Sequence, residues 1–267
     1  MASRPTQEPK AERFRVLHEG EAFIIPNPWD AGSAKVLEAL GFPALATTSS
    51  GFAFTLGRPD GGASLDEVIE HVRLLDRSTT LPVSVDLQNG YGPDPEAAAT
   101  AIARAAEAGA VGGSIEDYDQ ENGIYGLDHA LERVAAASEA ARRLNFPFML
   151  TARAENRIRG NPDLEDTIAR LQAYERAGAD VLYAPGLLSG KEIRAVSEGV
   201  TKPLNVLARS ELSMSEIVDA GARRISVGGA LTWVAIGAMV NAAERMRDEG
   251  DLSSLDVPVR IEEWLDR

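Results

Sequence analysis

The sequence repeats one pattern eight times: a short apolar run followed by a longer stretch whose apolar residues recur at helical spacing. The apolar runs are FIIPN (23–27), ALATT (44–48), PVSVDL (82–87), VGGSIED (111–117), PFMLTAR (147–153), DVLYAP (180–185), PLNVL (203–207) and RRISVGG (223–229). Strands this continuously apolar imply a parallel sheet covered on both faces. Eight strand–helix units in 267 residues predict an α/β fold of the (β/α)8 TIM-barrel type. A doubly wound open sheet is the alternative. It usually has fewer strands, and no GxGxxG follows the first run. Gly41, Gly109, Gly178, Gly199 and Gly221 close helical stretches, where left-handed caps favour glycine.

No linker rich in Pro, Gly or Ser divides the chain, so residues 13–267 are expected to form one barrel domain with a C-terminal helical extension. The long last helical stretch and the tail VPVRIEEWLDR (257–267) suit packing on another subunit. Residues 1–12 are polar, lack an apolar signal-like core, and are expected to form a disordered arm. No apolar run is long enough for a bilayer. With no cysteine, thiolate metal sites and disulfides are excluded, which suits a cytoplasmic protein. The net charge of −14 and the lack of a Lys/Arg cluster argue against nucleic-acid and membrane partners. An anionic substrate would need a local cation to hold it.

In such barrels chemistry sits at the C-terminal ends of the strands. Those ends carry Asp30 after the first run, Thr47, Thr48 and Ser49 after the second, Asp86 and Gln88 at the third, Glu116 and Asp117 at the fourth, and Arg153 and Glu155 at the fifth. Asn205 lies within the seventh run, and Asp60 in the loop after the second. Alone, Asp86 reads as a strand-end cap or a partner for Arg153. Two carboxylates from adjacent strands, Asp86 and Glu116, would repel unless a cation intervened. Mg2+ suits them, since it accepts one or two carboxylates and keeps several waters. Arg153 is suited to hold a carboxylate in bidentate fashion. The TTSSG stretch reads either as a polar loop or as a source of hydroxyls and N–H groups for an oxyanion. His18, His71 and His129 fall in helical stretches without metal spacing, which disfavours zinc.

These residues carry a family resemblance. Through NPWDAGSAKVLEALGF, LGRPD, VDLQNGYG (85–92), GGSIED, TARAEN, AYERAGAD and RRISVGGAL, in this order, the chain resembles the isocitrate lyase/phosphoenolpyruvate mutase superfamily over nearly its whole length. The resemblance implies a Mg2+-dependent barrel, with Mn2+ as substitute, acting on α-oxo or α-hydroxy acids. It also implies a homotetramer, a dimer of dimers with the C-terminal helix exchanged between subunits. Matched residue by residue, Asp86 becomes the metal-side acid and Glu116 reaches the ion through water. Gln88 stands where most members have a second Asp, so it orients a metal-bound water without adding charge. Arg153 would bind the substrate carboxylate. Asp60 matches the acid of the LG-x-x-D loop beside the metal's waters. Thr48 and Ser49 fall on the turn that touches substrate oxygens, and position at the strand ends adds Thr47 and Asn205 to the binding set. Gly90 and Gly92 let the chain turn beneath the site, and Tyr91 packs.

The departures narrow the reaction. The loop DYDQENGIYG lacks the cysteine-bearing segment of the lyases and the lysine of the phosphonate mutases. Pro185 replaces a mutase histidine. Tyr125 and Glu121 are the remaining proton-donor candidates. The expected function is a Mg2+-dependent enzyme working through an enolate, first as a C–C lyase or decarboxylase. The alternatives are phosphonomutase or phosphonopyruvate hydrolase chemistry, and a weakly catalytic dicarboxylate-binding barrel. A last alternative reads SVGG (226–229) as a phosphate cradle.

Overall fold

The computed structural model describes residues 6–265. Its strands in chain order are β1 (Phe23–Ile25), β2 (Leu45–Ala46), β3 (Val83–Asp86), β4 (Gly112–Glu116), β5 (Tyr118–Asp119), β6 (Gly123–Ile124), β7 (Met149–Arg153), β8 (Val181–Tyr183), β9 (Leu204–Leu207) and β10 (Arg224–Ser226). Between and around them run α1 (Gln7–Leu17), α2 (Ala31–Ala39), α3 (Ser49–Thr55), α4 (Leu65–Ser78), α5 (Pro95–Glu107), α6 (Leu127–Arg142), α7 (Leu164–Arg176), α8 (Gly190–Gly199), α9 (Met214–Asp219), α10 (Ala230–Glu249) and α11 (Ile261–Leu265).

Eight strands form one parallel sheet in the order β1-β10-β9-β8-β7-β4-β3-β2. The Ala46 N–H donates to Pro26 O at 3.1 Å, which brings the two ends of the sheet together. The fold is therefore the (β/α)8 barrel, and β5 and β6 form a small antiparallel hairpin after β4. Local chemistry starts several helices. Ser64 and Glu67 form a reciprocal capping box on α4, and Pro95 opens the alanine-rich α5. Buried alanines on α5 and α6, including Ala98, Ala101 and Ala137, join the main core under the sheet.

Two expectations are corrected here. Residues 7–12, read as an arm from their polarity, belong to α1, in which Lys10, Ala11 and Phe14 are buried. Lys10 Nζ reaches Asp76 at 2.9 Å and Thr79 O at 3.0 Å, partners that local composition does not reveal. Residues 1–5 lie outside the described residues. Gly199 ends α8 without a left-handed φ, whereas Gly41, Gly109, Gly178 and Gly221 adopt one as expected.

The barrel interior departs from the usual filling of branched apolar side chains. Its lower end is apolar, with Phe23, Met149 and Val181 packed against Phe14. Phe14 closes this floor over Gly112, where an added Cβ would lie 2.7 Å from the ring. Higher up, Ser84, Ser114, Asn205, Ser226 and Arg224 surround a cavity of about 70 Å³.

Two buried histidines are held neutral. His18 Nδ1 is 2.8 Å from Phe14 O, and burial together with the Arg224 charge depresses its pKa to about 3. His71 stacks on Phe52 at 4.1 Å, and burial lowers its pKa to about 4. Below the ordinary value of 6.5 the unfolded chain binds these protons and the folded chain does not. Stability therefore falls as pH drops from 6.5, by about 2 kcal/mol per histidine between pH 7 and 5. Chemical denaturation of the wild type and of a His18→Gln/His71→Gln variant at both pH values measures this. The variant is expected to show a clearly smaller acid loss.

Candidate active site

Parallel register brings the expected acids and arginine to one end of the barrel. Glu116 and Arg153 are paired residues of β4 and β7, and Asp86 pairs with Ser114, two residues before Glu116. Arg153 lies at the centre. Its Nη1 is 3.3 Å from Asp86 Oδ1, and its Nη2 is 3.3 Å from Glu116 Oε2 and 2.6 Å from Glu155 Oε1. Its guanidinium also faces the Tyr183 ring at 5.0 Å. Burial works against the charge on Arg153, but Glu155, Glu116 and Asp86 outweigh it and hold the pKa well above the ordinary value. Glu116 goes the other way. Burial first, then the Glu155 and Asp86 charges, outweigh Arg153 and push its carboxyl up to about 8. The pair reading of Asp86 is thus borne out, and the cluster still holds more carboxylates than cations.

Asp86 is held by backbone and hydroxyl donors. The N–H groups of Gln88 (3.2 Å) and Ser49 (3.4 Å) and the Ser114 hydroxyl (3.4 Å) point at its carboxylate. Its own N–H donates to Thr47 Oγ1 at 2.8 Å. The following loop turns through left-handed Gln88 (φ 50°), Gly90 (φ 83°) and Tyr91 (φ 64°). At Gly90 a Cβ would lie 2.8 Å from Ala98 Cα, so only glycine fits. Arg133 of α6 fixes this loop, donating to the carbonyls of Asn89, Gly92, Pro93 and Asp94. Tyr91 packs against the core, as expected, with its hydroxyl buried and without a hydrogen-bond partner among the described residues.

The next layer positions Glu155. Asp117 accepts from Glu155 N–H at 2.8 Å, Arg170 Nη1 at 3.0 Å and Tyr174 Oη at 2.5 Å. Burial raises the Asp117 pKa despite these partners.

The remaining expected residues divide. Thr47 and Thr48 line the 70 Å³ cavity with Asp86, Arg153 and Asn205. Thr48 is the N-cap of α3 and Ser49 its first residue, so the TTSSG stretch starts a short helix that its serines and glycine conceal. Asn205 is engaged by Ser226 and Arg224, at 3.0 and 2.8 Å. Gln88 and Glu116 line a second, outer cavity of about 260 Å³, together with Asp119 and Glu121 of the hairpin region. Tyr125 is buried, with its hydroxyl 3.2 Å from Asn89 Nδ2. Asp60 is not brought into either lining. It sits in an exposed turn and accepts from the adjacent Gly61 N–H. Asp30 caps α2, bonded to Ser33 N–H at 2.7 Å. The phosphate-cradle alternative loses two of its donors, because the Val227 and Gly228 N–H groups both bond Asn27 Oδ1 at 2.9 Å. Sequence reading gave no role to Arg133, Arg170, Tyr174, Ser114 or Arg224. Only Arg224 carried a signal, as a cation within the eighth run that the strand alternation turns inward.

Residues 14–247 match the family model of phosphoenolpyruvate phosphomutase. The chain belongs to that family. A Burkholderia cenocepacia protein provisionally described as a lyase/mutase superposes with a TM-score of 0.95 at 50% identity, covering 98% of this chain and 97% of that one. The 2-methylisocitrate lyase of Halalkalibacterium halodurans is 31% identical over 222 residues, covering 81% of this chain and 73% of the relative. An oxaloacetate decarboxylase of Bradyrhizobium sp. is 31% identical over 228 residues, covering 82% and 77%. The superfamily is enzymatic and includes both lyases and mutases.

The Asp117 network carries a testable consequence. Removing one partner of a buried, charged network costs about 3–5 kcal/mol. Asp117→Ala is expected to lose this much in urea denaturation, because Arg170 and the Glu155 N–H lose their acceptor. A loss below 1 kcal/mol would contradict this role.

Proposed function

We propose that this protein is a Mg2+-dependent enzyme acting on α-oxo or α-hydroxy carboxylic acids through an enolate, first as a C–C lyase or decarboxylase. The observation that carries the reading is the buried Arg153 shared by Asp86, Glu116 and Glu155 at the C-terminal end of the barrel. The lyase and decarboxylase relatives support the C–C choice.

The residues present fit a hard divalent ion. Their donors are oxygens alone, and Glu116 is pushed toward protonation by burial and neighbouring carboxylates, which leaves electrostatic room for a second cation. Among the described residues no group of three or more His, Cys, Asp and Glu is gathered as a metal site. Mg2+ needs only one or two carboxylates and completes its shell with water. Asp86 and Glu116 would hold it, with the Gln88 amide turned to a bound water, and Mn2+ would substitute. When bound, the ion stabilises negative charge developing on the substrate's oxo oxygen.

The chain's own groups supply the rest. With a divalent ion held by Asp86 and Glu116, the Arg153 guanidinium would have N–H groups left to bind a substrate carboxylate. Glu155, fixed by Asp117, keeps Arg153 charged and oriented. Thr48, which lines the inner cavity, would face substrate oxygens, the Ser49 N–H points at the Asp86 carboxylate, and Thr47 Oγ1 accepts from the Asp86 N–H. Glu121 lines the outer cavity with Glu116 and is the accessible proton-donor candidate. Asp60 stays a candidate only through its motif.

The reading includes a homotetramer with an exchanged C-terminal helix. It is supported by α10, which has only Thr232 buried and leaves Trp233, Val234, Met239 and Val240 exposed, Val234 by 69%. No described helix is long and apolar enough to cross a membrane.

Assays of oxaloacetate, 2-methylisocitrate and phosphonopyruvate with Mg2+ or EDTA test the reaction. A C–C substrate is expected to turn over with Mg2+. Its rate should fall on the order of 100-fold or more in EDTA or in Asp86→Ala, as the loss of several kcal/mol of charge stabilisation requires. Turnover of phosphonopyruvate alone would replace C–C with P–C chemistry. Binding without any turnover would favour the dicarboxylate-binding alternative.

A further inference from the structure

Below the Asp86–Arg153 rim lies a second guanidinium that the proposed reaction does not use. Arg224 of β10 is 5% exposed and lines the 70 Å³ cavity. No carboxylate pairs with it among the described residues. Its hydrogen-bond partners are neutral: Nε donates to Asn205 Oδ1 at 2.8 Å, Nη2 to Thr151 Oγ1 at 3.0 Å, and Nη1 faces the lone pair of His18 Nε2 at 3.4 Å. His18 can accept there because its Nδ1–H is directed to Phe14 O. A guanidinium has five N–H donors. Three are engaged, and one on each Nη is left over.

A buried cation is costly unless it is paired or fully hydrogen-bonded, so an anion entering beside an incompletely satisfied one is favoured. Arg133 is also buried without a carboxylate, but four loop carbonyls surround it. Arg224 has no such cage. The charged side chains lining the cavity are Asp86, Arg153 and Arg224, so cations outnumber anions in the lining. The hydroxyls of Ser84, Ser114 and Ser226 add polar surface around the same space. At about 70 Å³ the space corresponds to roughly two waters, which limits a ligand there to a very small acid.

We propose that Arg224 forms a second anion subsite on the cavity floor, so that the preferred ligand carries two carboxylates, one toward Arg153 and one toward Arg224. This rests on the proposed function only in taking this cavity as the substrate site. Arg224 is then a specificity-determining residue that separates dianions from monocarboxylates of similar size.

Calorimetric titration of the full chain with oxalate and with pyruvate, in Mg2+, tests this on wild type, Arg224→Met and Arg224→Lys. Loss of a charge-assisted contact should raise the oxalate Kd of Arg224→Met about 10-fold or more. The pyruvate Kd should change less than 3-fold, and Arg224→Lys should recover most of the oxalate affinity. A purely structural arginine would lower thermal stability without separating the two ligands. A folded Arg224→Met variant whose oxalate Kd rises less than 3-fold overturns the subsite. If that variant does not fold, crystals of the unmodified chain soaked in oxalate decide. An oxalate oxygen hydrogen-bonded to Arg224 Nη1 or Nη2 supports the proposal, and oxalate bound without touching Arg224 overturns it. Arg224-dependent oxalate binding without turnover of any oxo acid would sink the reaction and leave the subsite. Turnover with Arg224-independent binding would do the reverse.

Discussion

One guanidinium organises the upper end of this barrel. Arg153 faces carboxylates from β3, β4 and the turn after β7, and none of them can be buried comfortably without it. The charge balance is uneven. Three acids share two nearby cations, Arg153 at the centre and Arg159 at 3.3 Å from Glu155 alone, and Glu116 shifts toward its neutral form. A cluster left short of positive charge in this way is suited to recruit an ion, whereas a fully neutralised salt bridge is not. The fold can hold the shortfall because Asp117, Arg170 and Tyr174 immobilise the backbone at Glu155 from behind.

The lower end solves a different problem. Small residues on β3 and β4, with Gly112 the smallest, leave the barrel under-filled, and α1 plugs it with Phe14 while His18 supports Arg224. The result is an apolar plug beneath a polar chamber. Low-polarity packing below and charge above favour electrostatic discrimination between small acids.

Much of this was legible in the sequence, and the reasons are physical. All eight barrel strands fall inside the apolar runs, because strands buried on both faces have no polar alternation to blur them. Asp86, Glu116 and Arg153 were legible because a polar residue ending an apolar run in a parallel barrel can only point to the catalytic end. α1 was hidden, since QEPKAER is polar and its burial depends on Asp76 and Thr79, far along the chain. α3 was hidden by residues of low helix propensity whose helix is capped by Thr48. The motif suggested a metal-side position for Asp60, but a loop acid has no strand to aim it, and it lies in an exposed turn. Arg133, Arg170 and Tyr174 look like ordinary helix residues, and only the tertiary fold shows what they hold.

The central claim is that Asp86 and Glu116 gather a divalent ion opposite Arg153. Anomalous diffraction from a crystal soaked with Mn2+ and oxalate measures this directly. The account predicts one strong peak within coordinating distance of the Asp86 carboxylate, on the side facing Glu116 and Gln88. A soaked crystal with no peak there, and with Asp86 and Glu116 still paired to Arg153, would contradict it.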